Sequence, residues 1–135
     1  MTTTPGVISS PNHPDDYPHY LDKTEYVEVE TGKILRLEFT AFAVSWVGGT
    51  INTCTADFVR ITDGDGTTLM DKSCGFSHSD PLRSTFIQLP NVTTKTNKVE
   101  IYFHTDESFA KSGWNLTWTA VAEGSKHSVS FLWNS

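Results

Sequence analysis

Hydrophobic residues recur at every second position in several separate stretches of this sequence. Between Leu35 and Phe39 they alternate with charged residues, and the same spacing returns around Val59, Ile101 and Leu116. A period of two is typical of strands that bury one face, whereas amphipathic helices repeat every three to four residues. No window carries a helical apolar stripe with capping signals. We therefore predict an all-β fold built from antiparallel strands.

Turn residues separate these stretches. Asp63-Gly64-Asp65-Gly66 lies between two strand-like runs and predicts a hairpin turn. It lacks the flanking helices and the twelfth-position Glu of an EF-hand, so we do not expect it to bind calcium. Three prolines keep residues 11–18 irregular. Many short strands joined by turns predict a sandwich or barrel.

The chain has 135 residues, the size of one domain. We expect a short tail at residues 1–5 and a single β-sandwich domain at residues 6–123. Glu123-Gly124-Ser125 reads as a hinge, and the strand-like run from His127 to Trp133 follows it. Residues 124–135 are therefore expected to be either a tail or an extra edge strand, because a sheet edge offers unpaired backbone groups.

Charge and residue spacing argue against several classes of function. The formal net charge is −6 and no basic stripe occurs, which disfavours nucleic acid as a partner. No run of 18 apolar residues occurs, so membrane insertion is not expected. The five histidines are scattered. His104, Asp106 and Ser108 are too close along one strand end to converge as a catalytic triad. We predict that the chain is not an enzyme.

Cys54 and Cys74 are the two cysteines, and nineteen residues lie between them. Structural zinc sites need more cysteines or a nearby Cys/His pair, which leaves a disulfide or two buried thiols. Two glycosylation sequons, Asn91-Val92-Thr93 and Asn115-Leu116-Thr117, favour the disulfide, because both features belong to the secretory route. We expect an extracellular protein with N-glycans at Asn91 and Asn115.

Short motifs follow one another along the chain in a fixed order, and their order and gaps resemble those of the CUB domain family. The resemblance covers about residues 6–121 and implies an extracellular, jelly-roll-like β-sandwich of two sheets that binds partners and performs no catalysis. The motifs are Ser10-Pro11-Asn12-His13-Pro14 with Tyr17-Pro18, Cys54-x-x-Asp57-Phe58-Val59, Asp63-Gly64, Cys74-Gly75, and Phe103-His104-Thr105-Asp106-Glu107-Ser108 closed by Gly113-Trp114.

The resemblance also implies a calcium site, since many family members hold this ion at one end of the sandwich with a Tyr and three acids. Tyr17, Asp57 and Asp106 match three of these positions, but the third acid falls at Ser45. Calcium prefers six to eight oxygens, so two carboxylates neutralise it less well than three. The Ser45 hydroxyl and oxygens at Glu107 or Ser108 would complete the shell.

Without the metal, the two aspartates would repel each other and one pKa would rise. The sequence leaves both states open. In one, calcium is bound. In the other, the aspartates hydrogen-bond to loop backbone and water.

By this resemblance, acids around the ion accept a Lys or Arg from a protein partner. Asp57, Asp106 and Tyr17 would form that contact. Trp46 either joins it as an exposed anchor or caps the core. The alternatives are carbohydrate binding, a substrate-positioning role within a larger secreted protease, and self-association through a sheet edge.

Overall fold

The computed structural model describes residues 6–45, 54–76, 89–107 and 110–123. This part of the chain contains nine β-strands and no helix. It therefore contains no helix long and apolar enough to cross a membrane. The strands are β1 (Gly6–Ser9), β2 (Asp22–Glu28), β3 (Lys33–Val44), β4 (Phe58–Asp63), β5 (Thr68–Ser73), β6 (Gly75–Phe76), β7 (Asn91–Thr93), β8 (Lys98–His104) and β9 (Gly113–Ala122).

The strands form two antiparallel sheets, which confirms the predicted all-β sandwich. The five-stranded sheet has the order β1-β9-β3-β6. Its fifth strand, β7, also pairs with β3, but with an earlier part of that strand than β6 does. The four-stranded sheet has the order β2-β8-β4-β5. Apart from β4 and β5, strands that are neighbours in a sheet are not consecutive in the chain, so most of each sheet is assembled from distant parts of the sequence. The segments that follow β3 and β8 and those that precede β4 and β9 meet at one end of the sandwich.

The core lies between the inner faces of the two sheets. Alternate residues point inward because successive side chains of a strand lie on opposite faces. The alternation in the sequence thus predicted correctly which face of each long strand is buried. The buried members are Leu35, Leu37 and Phe39 of β3, Val59 and Ile61 of β4, Val99, Ile101 and Phe103 of β8, and Trp114, Leu116 and Trp118 of β9.

Three short strands were not predicted from the sequence. β1, β6 and β7 have four, two and three residues, which is too few for an alternating pattern to stand out. The strand-like run from His127 to Trp133 lies outside the described residues. The proposed domain limits of 6–123 stay a prediction.

The predicted turn at Asp63 joins β4 to β5. The Gly66 N–H donates to the Asp63 carbonyl at 2.9 Å, and the Asp63 N–H donates to the Thr67 carbonyl at 2.7 Å. The Asp63 carboxylate is buried and accepts the Lys95 N–H at 2.7 Å and the Thr96 hydroxyl at 2.6 Å. The Asp63 side chain therefore links the β4–β5 turn to the turn between β7 and β8, in agreement with its prediction as a turn residue.

The predicted disulfide is formed between Cys54 and Cys74, whose Cα atoms are 5.6 Å apart. Both residues are buried. The bond ties the segment before β4 to the junction of β5 and β6, three residues from Asp57. It thus fixes the end of the sandwich that carries the candidate site.

Candidate functional site

Tyr17 lies at the centre of the candidate site. It comes from the irregular proline-rich segment, yet only 2% of its surface is exposed. Its ring packs edge-on against Phe103, with ring centroids 4.9 Å apart. Its hydroxyl donates to Asp57 Oδ2 at 2.6 Å and accepts the Ser45 N–H at 2.9 Å. Tyr17 therefore connects the end of β3 to the start of β4.

The Asp57 carboxylate is buried, with 1% of the residue exposed, and it joins two loops. In addition to Tyr17, it accepts the Asp106 N–H at Oδ1 over 2.8 Å. Burial raises the pKa of the Asp57 carboxyl, and the charge of Asp106 raises it further, against the two hydrogen bonds that lower it. Burial and hydrogen bonding to Asp57 also raise the pKa of Tyr17, so its hydroxyl stays protonated. We call the end of the sandwich that holds Tyr17, Asp57 and Asp106 the acidic end.

The raised pKa of Asp57 predicts how stability depends on pH in the absence of metal. A carboxyl whose folded pKa exceeds the unfolded value binds its proton more tightly when folded. Its stabilising contribution is complete below the unfolded pKa of about 3.9 and is lost as the pH rises through the folded pKa. We expect urea denaturation in EDTA to report this loss in the wild type. The Asp57→Asn variant should lack it.

Other carboxylates have lowered pKa values, so their effect on stability changes with pH in the opposite direction. Their contribution must be separated from that of Asp57. Hydrogen bonds from His104 and Tyr102 lower the pKa of Asp22, and those from Thr67 lower the pKa of Asp65. Both groups are present in the wild type and in Asp57→Asn. The difference between the two pH profiles therefore isolates Asp57. Parallel profiles would contradict the prediction.

The loop that carries Asp106 is held to the Tyr17 segment by Thr105. Thr105 is buried and its hydroxyl donates to the Pro18 carbonyl at 2.9 Å and accepts the Leu21 N–H at 2.7 Å. The Tyr20 N–H also donates to the Asp106 carbonyl at 3.0 Å. Sequence reasoning missed this role. The only signal was a hydroxyl residue inside the His104-Thr105-Asp106 motif.

Ser10 and Gly113 close the back of the site. The Ser10 hydroxyl accepts the Trp114 N–H at 3.0 Å. Gly113 has a φ of 88°, and a Cβ atom there would lie 1.9 Å from Ser10 Oγ and 3.3 Å from the Tyr17 ring. A side chain at this position would strain the backbone and push Ser10 against Tyr17. The glycine in the Gly113-Trp114 motif is therefore required by the close approach of these residues.

The remaining predicted site residues are divided between this end and undescribed segments. Ser45 is buried at the end of β3, and its backbone N–H is the one bonded to Tyr17. Glu107 is exposed beside Asp106. Trp46 and Ser108 lie outside the described residues. Within residues 6–45, 54–76, 89–107 and 110–123, no three His, Cys, Asp or Glu side chains form a metal-holding cluster.

Both predicted glycosylation residues lie in strands of the five-stranded sheet. Asn91 begins β7 and is exposed, whereas Asn115 lies within β9 and is partly buried. In the register of the sheet, Asn91 is opposite Glu38 and Asn115 is opposite Ser9 and Ala41. The structure thus places the two sequons in different surroundings.

Comparison with known proteins identifies the fold and the family. The CUB domain family model matches residues 1–118. The chain belongs to the CUB domain family. As a CUB domain, it is a non-catalytic module of the type found in extracellular proteins. The resemblance inferred from the ordered motifs is thereby confirmed, together with the extracellular location.

The relatives of this CUB domain are larger proteins. Cubilin from rat is 29% identical over 121 residues, which cover 90% of this chain and 3% of cubilin. The full extracellular region of zebrafish Gpr126/Adgrg6 superposes with a TM-score of 0.72 at 23% identity over 90% of this chain and 14% of that chain. The chain therefore spans a small part of these two proteins.

A single-domain structure matches over nearly its whole length. The MASP-1 CUB2 domain, solved bound to Ca2+, superposes with a TM-score of 0.70 at 22% identity. The match covers 88% of this chain and 95% of that domain. The likeness establishes that both chains share the sandwich fold.

Proposed function

We propose that this CUB domain is a recognition module that binds a basic side chain of an extracellular protein at its acidic end, with calcium ordering the loops there. The observation that carries the proposal is the approach of Asp106 to the buried Asp57 carboxylate. Two like charges held together in a poorly hydrated place favour a cation between or beside them. Burial raises the pKa of Asp57, and the charge of Asp106 adds to it, so a nearby cation would favour the ionised carboxylate.

The donors at this end fit calcium in kind. They are hard oxygens from two carboxylates, and calcium selects such ligands. Asp57 and Asp106 would hold the ion, with backbone or side-chain oxygen at Ser45 and Glu107 completing the shell. Ser45 carries no charge where a third carboxylate would add one, so we expect the weak affinity typical of extracellular modules. The bound ion would supply positive charge that relieves the repulsion and orders both loops.

Carboxylate oxygens that hold a cation can accept further hydrogen bonds as well, because each oxygen has two lone pairs. A Lys or Arg from a partner can use them, because charge-assisted hydrogen bonds to carboxylates are among the strongest in proteins. The MASP-1 CUB2 domain, described as bound to Ca2+, supports the same chemistry in a domain of this fold. The exposed Glu107 adds negative charge beside Asp106 and would attract the basic residue.

Calcium should stabilise the protein measurably. With a Kd of about 0.1–1 mM, as in extracellular calcium modules, about 10 mM calcium adds about 1–3 kcal/mol to the free energy of unfolding. Thermal unfolding in a calcium titration measures this as an increase in Tm. Magnesium at the same concentration should have little effect, because it dehydrates reluctantly and demands octahedral geometry.

Two aspartate variants distinguish a specific site from general screening of charge. Asp106→Asn should abolish the calcium response because it removes one of the two carboxylates. Asp71→Asn is the matched control. Asp71 is exposed in β5, and its described side-chain contact is with the N–H of the next residue. Equal responses in both variants, or no response in the wild type, would reject the calcium part of the proposal.

The basic partner can be tested with a minimal probe. N-acetyl-lysine methylamide added in calcium should shift the NMR signals of the Asp106 and Tyr20 amides, which lie in the loops of the acidic end. N-acetyl-norleucine methylamide has the same chain without the charge and serves as the control. Identical shifts with both probes would show that the acidic end does not select a basic side chain.

A further inference from the structure

The two glycosylation sequons lie on the same outer surface of the molecule. Arg36, Glu38 and Thr40 form the outward face of β3, since the alternate residues Leu35, Leu37 and Phe39 are buried. Asn91 of β7 is paired with Glu38, and Asn115 of β9 lies beside Thr40. Position on a strand therefore does not distinguish the two asparagines. Their hydrogen bonding does.

The Asn115 side-chain amide bridges three strands. Its Nδ2 donates to Thr40 Oγ1 of β3 at 2.6 Å, and its Oδ1 accepts a hydrogen bond from the Ser9 hydroxyl of β1. Thr40 also donates to the Asn115 carbonyl at 3.3 Å. The register between β3 and β9 shifts between Phe39 and Ala41, and this irregularity contains Thr40. Both ends of the Asn115 amide are thus engaged with neighbouring strands.

Asn91 has the opposite environment. It is exposed, and among the described residues its side-chain amide makes no hydrogen bond. Its strand pairs with β3 alone within the described part of the chain. A group attached to the Asn91 nitrogen can therefore extend into solvent without breaking a contact of the sheet.

We propose that the secreted protein carries an N-linked glycan on Asn91 and none on Asn115. The proposal is independent of the function assigned to the acidic end. It narrows the sequence-based expectation, in which both sequons were equivalent acceptors.

The linkage changes the Asn side-chain amide, and the changed amide must still fit the folded sheet. In N-glycosylation, Nδ2 forms a bond to C1 of an oligosaccharide carried on a lipid pyrophosphate. The C1–O bond breaks, the pyrophosphate leaves with the electron pair, and Nδ2 gives up one proton. The product is a secondary amide, which is trans, so the sugar lies on the same side as Oδ1. At Asn115 both ends of the amide are already bonded to neighbouring strands, so a sugar on Nδ2 would have to fit between the contacts with Ser9 and Thr40.

The position of Asn91 also keeps a glycan away from the acidic end. Asn91 is opposite Glu38, and Ser45 lies seven residues farther along the chain at the end of β3. At about 3.3 Å per residue, this corresponds to about 23 Å. Asn115 is opposite Ala41, closer to that end. A glycan on Asn91 would shield the outer face of the five-stranded sheet and leave the acidic end open.

The test is secretion of the chain from mammalian cells behind a cleavable signal, followed by peptide mass spectrometry after treatment with an N-glycosidase. The enzyme converts each glycosylated Asn to Asp and so marks the occupied site. We expect the mark at Asn91 alone. This experiment uses the wild type, so it does not depend on the folding of any variant. A mark at Asn115, or at neither residue, would overturn the proposal.

Variants that remove the sequons without changing the asparagines extend the test. An N-glycan slows the protein on a denaturing gel, and treatment with the N-glycosidase removes this shift. Thr93→Ala should eliminate the shift, because Thr93 completes the Asn91 sequon. Thr117→Ala should leave the shift unchanged, because it disables the other sequon and keeps the Asn115 side chain for its contacts with Ser9 and Thr40. Thr93→Ser keeps a valid sequon and should retain the shift. A shift that persists in Thr93→Ala would contradict the assignment.

Discussion

Replacing both cysteines of the Cys54–Cys74 pair with alanine should lower the free energy of unfolding by about 3 kcal/mol. The bond spans a sequence separation of 20 residues, and cross-linking a loop of that length restricts the unfolded chain by about this amount. Both side chains are buried, so their truncation adds to the loss. Urea denaturation of the purified double variant measures the change.

We expect the disulfide to affect the proposed calcium response as well. Cys54 is three residues before Asp57, so the bond restricts the segment that presents this carboxylate. We expect the double variant, at a temperature where it is folded, to need more calcium for the same increase in Tm. Reduction of the wild type with a phosphine is the matched control and should reproduce both effects. An unchanged midpoint in urea would contradict the assigned role of the bond.

Tyr17→Phe should destabilise the metal-free protein by about 2–3 kcal/mol. The substitution keeps the ring and its packing on Phe103 but removes the hydroxyl. The Ser45 N–H then loses its hydrogen bond to the Tyr17 oxygen, and the buried Asp57 carboxylate loses a donor. Leaving a buried polar group without its partner costs about 1–3 kcal/mol, and more when the group is charged. Urea denaturation at neutral pH in EDTA measures the loss.

Tyr26→Phe is the control for Tyr17→Phe. Tyr26 lies in β2 with 65% of its surface exposed, so removal of its hydroxyl should change stability by less than about 0.5 kcal/mol. A loss in Tyr17→Phe as small as that in Tyr26→Phe would contradict the proposed role of the Tyr17 hydroxyl. A second readout is the pH profile, since loss of a donor to Asp57 should raise the pKa of this carboxyl further.

Much of the fold could be predicted because a strand with one buried face needs an apolar residue at every second position, and this pattern is visible in the local sequence. Leu35, Leu37 and Phe39 are apolar at alternate positions, and a half-buried strand requires this whatever its neighbours are. Short strands escaped prediction because their place depends on pairing. β7 has one buried residue, Val92, and its pairing with β3 compensates for the weak local signal.

The candidate site was predicted from motifs, and its physical organisation was not. From the sequence, Tyr17, Asp57 and Asp106 could be matched to positions of the family's calcium site. It contained no local signal that the Tyr17 hydroxyl lies between Asp57 and the Ser45 backbone. Contacts of this kind join residues that are far apart along the chain, and they form only after both sheets have assembled. The roles of Thr105 and Ser10 remained hidden for the same reason.

The sequence by itself determined the strand class, the inward face of each long strand, the family and the disulfide partners. Each of these follows from local alternation, from ordered motifs or from the presence of just two cysteines. The tertiary structure alone decided which polar groups are paired. It buried Asp57 beside Asp106, and it engaged the Asn115 amide while leaving that of Asn91 exposed. Hydrogen bonding and desolvation depend on neighbours in space, and strand order in the two sheets sets those neighbours.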